Sequence, residues 1–355
     1  MTWTIAIQPD DYTNPSVGKP DASSPRWAEL LQTAGHQVRW VDVYQPDILQ
    51  QLQGCHGFMW RWGHCGGMYR VARRLLPVIE RELGLPTYPD QNTCWHYDDK
   101  IAQWYLLSAA GIPVPTTWVW YDERHAIEWA RTAIYPLVLK LWGGAASTNV
   151  RLITSFEEAK FHIAKLFDNG VYSLDDMFSK PWKWGIQRFR SAVKLALTGI
   201  PPRIPWGGWE LHKSYVFFQE FLPNNDFDTR VTVIGNRAFA FRRFNRDNDF
   251  RASGSGKIDY NPQAVDPAFI RLAFTVASKL KTQSCAIDGL YDGKEPVVGE
   301  ISYTYVSWAI HDCPGHWELD GLPQTGNLVW KEGRMWPEEA QIQDFLERLA
   351  RHYAR

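Results

Sequence analysis

A lysine followed directly by small residues is the first feature of the sequence that could do chemistry. Lys140 ends the apolar stretch of the segment LVLKLWGGAASTN, at 137–149, and Gly143 and Gly144 open the turn after it. A buried lysine is costly without an anion, and small residues let backbone N–H groups approach an anion closely. The segment fits an anion-binding turn, and it fits equally well a tight hairpin whose lysine reaches water.

A second polar segment ends a predicted strand with Gln219 and Glu220. It reads FFQEFLPNNDFDTR, at 217–230, and breaks at Pro223. Free backbone groups at such a strand end can pair with a planar ring, and a carboxylate nearby can accept from ribose hydroxyls. Taken alone, the segment is more typical of a polar hairpin turn.

A third segment combines arginines with a glycine-rich loop. It reads FAFRRFNRDNDFRASGSGK, at 239–257, and includes Arg242 and Arg251. Guanidinium groups beside a flexible loop suit phosphate and carboxylate groups. The alternative is a solvated basic face, which the interleaved Phe239 and Phe241 disfavour because they tie the segment to a core.

A fourth segment carries paired carboxylates. In IDGLYDGKEPVVGEIS, at 287–302, Asp288 and Glu300 lie on adjacent strands of a predicted hairpin. Facing carboxylates repel unless a cation lies between them, and their oxygens suit Mg²⁺. Ser302, two residues after Glu300, points to the same sheet face. The alternative is that each carboxylate caps a turn independently.

The elements that must position these residues alternate between strand and helix in the first ninety residues. Strands are predicted at 2–8, 37–43 and 57–61, and helices at 24–34, with Ser24 as its cap, and at 68–83, where Pro77 can introduce a kink. This alternation predicts a parallel sheet covered by helices.

The rest of the chain mixes helices with a larger share of strands. Helices are predicted at 98–110, 267–281 and 338–353, and two more are predicted to follow an Asp122 cap and the capping-box spacing of Ser155 and Glu158. Strands are predicted at 117–121, 135–141, 150–153, 214–222, 229–234, 237–244, 285–291 and 296–301. The irregular stretch 168–213 is interpreted as an insertion or lid.

Composition excludes several classes of protein. The 355 residues predict two or three lobes, and 45% hydrophobic content excludes wholesale disorder. A net charge of −1 argues against a protein-wide nucleic-acid surface, and no apolar run is long enough to span a membrane. Five sparse cysteines and the absence of a secretion signal in the opening residues favour a cytoplasmic protein.

The order of these motifs resembles the ATP-grasp superfamily, nearest the glutathione synthetase and ribosomal-protein glutamate ligase (RimK-like) branch. The likeness covers about 98–307. It implies an α/β fold with three lobes and a nucleotide between the central and C-terminal lobes. The implied division is an N-terminal domain at 1–95, a central subdomain at 96–167, the insertion at 168–213 and a C-terminal subdomain at 214–355.

The resemblance also implies a role for each motif residue. Lys100 and Lys140 would contact ATP phosphates, with Lys140 also near adenine. The loop 143–149, which includes Gly143, Gly144 and Ser147, would fold over the phosphates. Gln219, Glu220 and Leu222 would form the hinge that reads adenine, and Asp228 would hold ribose. Arg230, Arg242 and Arg251 would face the transferred phosphate and the acyl intermediate, and Asp288, Glu300 and Ser302 would bind Mg²⁺ or Mn²⁺. Ser302 and Ser253 stand where the family usually has asparagine.

The implied activity is an ATP-dependent ligase that joins a carboxylate to an amine or thiol through an acyl phosphate. Its partners would be small-molecule substrates, and we expect it to bind neither nucleic acid nor a membrane. Related ligases are often homo-oligomers, so this protein could form one as well. Two alternatives stay open on the sequence. One is a kinase on the same scaffold that phosphorylates a hydroxyl, and the other is an ATP-binding relative without catalysis.

Overall fold

A computed structural model describes residues 2–10, 13–14, 19–63, 68–144, 149–172, 211–247, 249–252 and 255–354. The chain forms two compact units. The first comprises Met1–Tyr97, Leu106–Val114 and Asn224–Arg355, and the second comprises Asp98–Tyr105 and Pro115–Pro223. None of the helices in the described part of the chain is long and apolar enough to cross a membrane.

The strands, in chain order, are β1 (Thr4–Ile7), β2 (Thr13–Asn14), β3 (Lys19–Pro20), β4 (Gln37–Trp40), β5 (Gly57–Met59), β6 (Thr87–Tyr88), β7 (Thr117–Trp120), β8 (Leu137–Lys140), β9 (Val150–Ile153), β10 (Val216–Glu220), β11 (Phe227–Ile234), β12 (Arg237–Phe244), β13 (Ile258–Asp259), β14 (Ser284–Asp292), β15 (Glu295–Ser302), β16 (Gly315–Asp320) and β17 (Asn327–Glu332). The α-helices are α1 (Ser24–Thr33), α2 (Ile48–Gln51), α3 (Met68–Pro77), α4 (Gln91–Cys94), α5 (Lys100–Ala109), α6 (Glu123–Ala130), α7 (Phe156–Phe167), α8 (Pro267–Leu280), α9 (Ser307–His311) and α10 (Pro337–Tyr353).

The N-terminal part of the first unit contains the predicted parallel sheet, in the order β4-β1-β5-β6. Helices α1 and α10 pack on it, with Trp27 and Phe345 buried against Ile5 and Ile7. Gly57 is required here, because a Cβ at this position would lie 2.8 Å from the ring of Phe345. The C-terminal helix therefore completes the core of the first sheet.

Two local predictions in this region differ in detail from the structure. The prediction that Ser24 caps α1 is wrong, because the cap position is Ser23 and the carboxylate of Asp10 accepts the N–H groups of both serines. A carboxylate distant in sequence thus does what a local cap would do. The predicted helix 68–83 is continuous, but from Val78 it changes to a π-helical turn directly after Pro77, whose missing N–H disrupts the α-helical pattern.

The C-terminal part of the first unit is an antiparallel sheet in the order β15-β14-β11-β12-β16-β17, with β13 paired to β12. The β11–β12 hairpin turns at Gly235, whose φ of +58° suits glycine, so Ile234 pairs with Arg237. Helix α8 covers one face and buries Ile270 and Phe274 with Val231. The opposite face carries the polar residues described below.

The second unit is a smaller antiparallel sheet in the order β7-β10-β8-β9, covered by α6 and α7. Asp122 caps α6, as predicted, by accepting from the N–H of His125. Strand β10 lies between β7 and β8, so 216–220 belongs to this unit and not with the rest of the segment 214–355. Most of the predicted insertion, residues 173–210, lies outside the described residues.

Candidate nucleotide and metal site

One polar cluster lies on the face of the large sheet that is opposite to α8. Strand alternation and register place these side chains on the same face: Asp228, Arg230, Arg243, Asp288, Glu300 and Ser302. Arg230 is directly opposite Asp288, which is directly opposite Glu300 on the next strand. The hairpin predicted from 287–302 therefore exists, with its two carboxylates as cross-strand neighbours.

The cluster is held by charge-assisted hydrogen bonds. Arg230 donates to both oxygens of Asp288, at 2.6 and 2.7 Å. Arg243 donates to both oxygens of Asp228, at 2.7 and 2.5 Å, and its Nη2 lies 2.8 Å from Oδ2 of Asp288. Two guanidinium groups thus neutralise two carboxylates that are largely removed from water.

The electrostatics of this cluster keep Asp288 ionised. Burial by itself would raise the pKa of Asp288, but Arg230 and Arg243 lower it well below its ordinary value. Burial raises the pKa of Asp228, with Arg243 opposing and the charge of Asp288 adding to this shift. Asp288 is therefore a permanent anion at neutral pH, as a ligand for a hard cation must be.

The predicted metal ligands are of the chemical type that Mg²⁺ prefers. They are the carboxylates of Asp288 and Glu300 and the hydroxyl of Ser302, which donates to the backbone oxygen of Thr304 at 2.8 Å. All three ligands offer oxygen. Within the described ranges, no group of three or more His, Cys, Asp or Glu side chains is arranged to hold a metal ion. The serine hydroxyl would thus have to complete the donor set.

The structure separates the predicted arginines. Arg242 is paired with Thr229, so its side chain lies on the α8 face of the sheet, away from Arg230, and contacts Asp259. Arg251 makes a local ion pair with Asp249. Arg243, which belongs to the same sequence motif but received no role from the resemblance, lies beside Arg230 instead. A signal for it existed, because the two-residue turn at Gly235-Asn236 predicts the register that places Arg243 opposite Asp228.

A second cluster lies in the smaller unit, around the ends of β8 and β10. The ammonium group of Lys140 donates to Oε1 of Gln219 at 2.6 Å, and Nε2 of Gln219 donates to Thr117 at 3.0 Å. Glu220 accepts from the N–H of Thr116 at 2.6 Å. Leu222 follows in the partly buried loop after β10. The predicted phosphate lysine and hinge glutamine are therefore neighbours.

Lys100 joins the glycine turn that follows Lys140. Its Nζ donates to the carbonyl of Gly144 at 2.9 Å, and its backbone N–H donates to the carbonyl of Trp142 at 2.8 Å. The side chain of Asn149 donates to the carbonyl of Gly143 at 3.0 Å and so supports the turn from its other end. Ser147 lies outside the described residues. Residues about forty positions apart thus form one small, cationic turn.

A buried histidine supports the same turn through the hydroxyl of a tyrosine. The hydroxyl of Tyr215 accepts from the N–H of Trp142 at 3.0 Å and lies 2.8 Å from Nδ1 of His212. Burial lowers the pKa of His212 to about 4, so the ring is neutral at pH 7. The hydroxyl can then donate to Nδ1, which leaves the ring proton on Nε2. This pair was not found from the sequence, where a lone histidine and tyrosine carry no distinctive signal.

Comparisons with known proteins agree with this fold. No family model matches the chain. The alpha-aminoadipate–LysW ligase LysX of Saccharolobus solfataricus is 30% identical over 110 residues, and the match covers 29% of this chain. The chain spans only 39% of the length of that curated relative.

Solved structures match over nearly the whole chain. A RimK domain ATP-grasp protein from Sphaerobacter thermophilus has a TM-score of 0.53 at 16% identity, covering 97% of this chain and 99% of its own. The D-cycloserine synthetase DcsG has a TM-score of 0.56 at 15% identity, covering 98% and 99%. A D-alanine–D-alanine ligase from Bacillus anthracis has a TM-score of 0.53 at 11% identity, covering 99% and 98%.

These likenesses show that the chain has the ATP-grasp fold. The α/β fold class predicted from the motif order is confirmed. The RimK domain protein among these structures represents the branch that the sequence resembles, and its fold is similar to that of this chain.

Proposed function

We propose that this protein is an ADP-forming ligase that joins a carboxylate to an amine or thiol through an acyl phosphate. The observation that carries the proposal is the polar cluster on the large sheet, where Asp288 lies opposite Glu300 with Arg230 and Arg243 against it. Phosphoryl transfer asks a protein mainly for positioning and for neutralisation of negative charge. The names of the similar proteins support the same class, since they include a LysW ligase and a D-alanine–D-alanine ligase.

In this proposal the smaller unit binds ATP. Lys140 and Lys100 bind the phosphates together with the N–H groups of the turn at Gly143 and Gly144. The backbone from Gln219 to Leu222 reads adenine, because a strand end has free donors and acceptors. The bond from Lys140 to Gln219 supports this assignment, since it joins the phosphate end of the pocket to its adenine end.

In the same proposal, the larger unit binds the metal ion and neutralises the charge of the transferred phosphate. Asp288 and Glu300, with the hydroxyl of Ser302, would hold Mg²⁺ or Mn²⁺, which supplies positive charge to the phosphoryl oxygens when bound. Arg230 adds further positive charge, and Arg243 replaces Arg242 in this role because only Arg243 lies on the same sheet face. Asp228 holds Arg243 through both of its carboxylate oxygens, and its contact with ribose stays a prediction. Arg251 remains a candidate for the acyl intermediate.

The reaction balances without any redox partner. A carboxylate oxygen of the first substrate attacks the γ-phosphorus, and the bond from that phosphorus to the leaving ADP oxygen breaks. The amine nitrogen then attacks the acyl carbon, inorganic phosphate leaves, and the amine loses its proton to phosphate or to water. We infer that the substrates are small molecules and that the protein works in the cytoplasm, where ATP is supplied. The cysteines in the described ranges are unpaired thiols, which supports this location.

An ADP-release screen tests the class of reaction. Purified protein with ATP and Mg²⁺ is offered carboxylates and amines, singly and in pairs, and products are identified by mass spectrometry. We expect free phosphate together with a condensed product, and only when both substrates are present. A phosphorylated product that accumulates with a single hydroxyl substrate would assign the kinase reaction instead.

Lys140→Ala tests the nucleotide half of the proposal. Loss of a charge-assisted contact to phosphate should weaken ATP binding about 10- to 100-fold. Isothermal titration calorimetry measures this directly, with Lys160→Ala, an exposed lysine of the same unit, as the matched control. Equal affinities for the two variants would remove Lys140 from the phosphate site.

A further inference from the structure

Asp98 occupies an unusual place beside the glycine turn of the smaller unit. Its two carboxylate oxygens accept from the N–H of Gly144 at 3.2 and 3.1 Å, and Oδ1 lies 3.9 Å from the ammonium group of Lys100. Only 13% of the side chain is exposed. Its backbone is left-handed, with a φ of +55°. An acidic residue is thus held where the proposed phosphate-binding groups converge.

These contacts are of the kind that a phosphate oxygen receives. A backbone N–H and a lysine ammonium group are standard anion partners, and the absence of a Cβ on Gly143 permits close approach. A Cβ on Gly143 would lie 3.4 Å from Oδ2 of Asp98. His212, which also borders the turn, is neutral at pH 7 and adds no positive charge. Asp98 and a phosphate group would therefore compete for the same donors.

The cap at the start of α5 does not require the charge of Asp98. The start of α5 is already capped by the neighbouring Asp99, whose Oδ1 accepts from the N–H of Ala102 at 2.9 Å. Asparagine tolerates a left-handed backbone as well as aspartate does, and its amide oxygen can accept from the N–H of Gly144. An uncharged asparagine could thus make the same bond to Gly144.

We propose that Asp98 is an internal competitor for the phosphate groups of the nucleotide. Without nucleotide, its carboxylate satisfies the Gly144 N–H and partly neutralises Lys100; when the nucleotide binds, a phosphate oxygen takes these donors and the carboxylate turns away. The protein therefore binds ATP more weakly than it would if the turn lacked the carboxylate of Asp98. This inference rests on the proposed function, since it takes the turn at Gly143 and Gly144 as the phosphate site.

Asp98→Asn provides the test, because it removes the charge and keeps the shape. We expect ATP and inorganic tripolyphosphate to bind at least about fivefold tighter, the factor for unit charges ~4 Å apart even with the dielectric constant of water. Adenosine, which lacks phosphate, should bind with unchanged affinity. Glu128→Gln, an equal charge change at an exposed position of the same unit, should alter none of these affinities. Calorimetry in metal-free buffer measures them without a contribution from the carboxylates on the large sheet.

Asp98→Gly is a second variant that suits the left-handed backbone and also lacks the carboxylate. It should tighten tripolyphosphate binding as well. If wild-type protein binds ATP and both folded variants, as judged by circular dichroism, bind it equally or more weakly, Asp98 is only a structural residue and the inference is wrong. If neither wild type nor any variant binds ATP or tripolyphosphate, the proposed function fails, and the competition fails with it.

Discussion

Replacing Arg243 by methionine would remove the cation that links the two buried aspartates of the large sheet. Arg243 is 9% exposed and makes two bonds to Asp228 and one to Asp288. Methionine fills a similar volume without charge. After the change Asp228 would lose both of its bonds from Arg243, and Asp288 would keep its two bonds from Arg230. The perturbation therefore isolates the charge of a single guanidinium.

The burial of this ion pair determines how much stability Arg243→Met should lose. Breaking a buried ion pair by removing one partner costs about 3–5 kcal/mol, because the remaining charge stays buried. Arg242→Met is the matched control, since Arg242 is the adjacent residue and its pair with Asp259 has side chains 23% and 27% exposed. More exposed pairs contribute about 0–1 kcal/mol, so the control should change stability little. The difference between these neighbours should thus be at least about 2 kcal/mol.

Urea unfolding monitored by tryptophan fluorescence and by circular dichroism measures both variants. Agreement of the two signals is needed for a single free energy of unfolding, because a chain with two units can unfold in steps. The double variant Asp228→Asn/Arg243→Met should recover about 1–3 kcal/mol of the loss, since it leaves Asp288 paired with Arg230. If Arg243→Met and Arg242→Met destabilise the protein equally, burial of the charge is not what makes Arg243 important.

Two further predictions concern the metal ligands and the histidine under the glycine turn. Glu300→Gln should lower turnover and raise the Mg²⁺ concentration that turnover requires. The control Glu295→Gln, at an exposed position at the other end of β15, should change neither. Identical Mg²⁺ titrations of the two variants would remove Glu300 from the metal site. Because the folded-state pKa of His212 is lowered to about 4, the folded protein binds fewer protons than the unfolded chain, and stability should fall as pH drops from about 6.5 to 4. His212→Gln should flatten that decline by up to about 3 kcal/mol in urea titrations at each pH, and parallel curves would contradict the role of burial.

Several elements followed from the sequence because the physics that forms them is local. The hairpin from Cys285 to Ile301 is set by two apolar strands around a tight turn, and its cross-strand pairing of Asp288 with Glu300 is observed. The Asp122 cap of α6 depends on contacts within three residues. The parallel N-terminal sheet follows from the alternation of strand and helix patterns. The hairpin of β16 and β17 was missed, because Gly, His and Trp residues obscure its alternation.

The candidate site was only partly predictable, for a geometrical reason. Neighbouring arginines in a strand point to opposite faces, so choosing between Arg242 and Arg243 requires the register of β12 against β11. The sequence motif marked both arginines as cationic and did not say which faces Asp288. Assigning β10 to the smaller unit likewise required its pairing with β7 and β8.

Residue type and short-range spacing thus determined the position of the lysine before its glycine turn and the pairing of two carboxylates, and the ATP-grasp fold was implied by the resemblance of the motif order to a known family. The tertiary structure alone decided that Arg243 joins Asp228 to Asp288 and that Asp98 lies against Gly144. Those contacts join residues that are 15, 45 and 46 positions apart in the chain. Only the folded backbone brings such charges within bonding distance, and their burial then decides how strongly they interact.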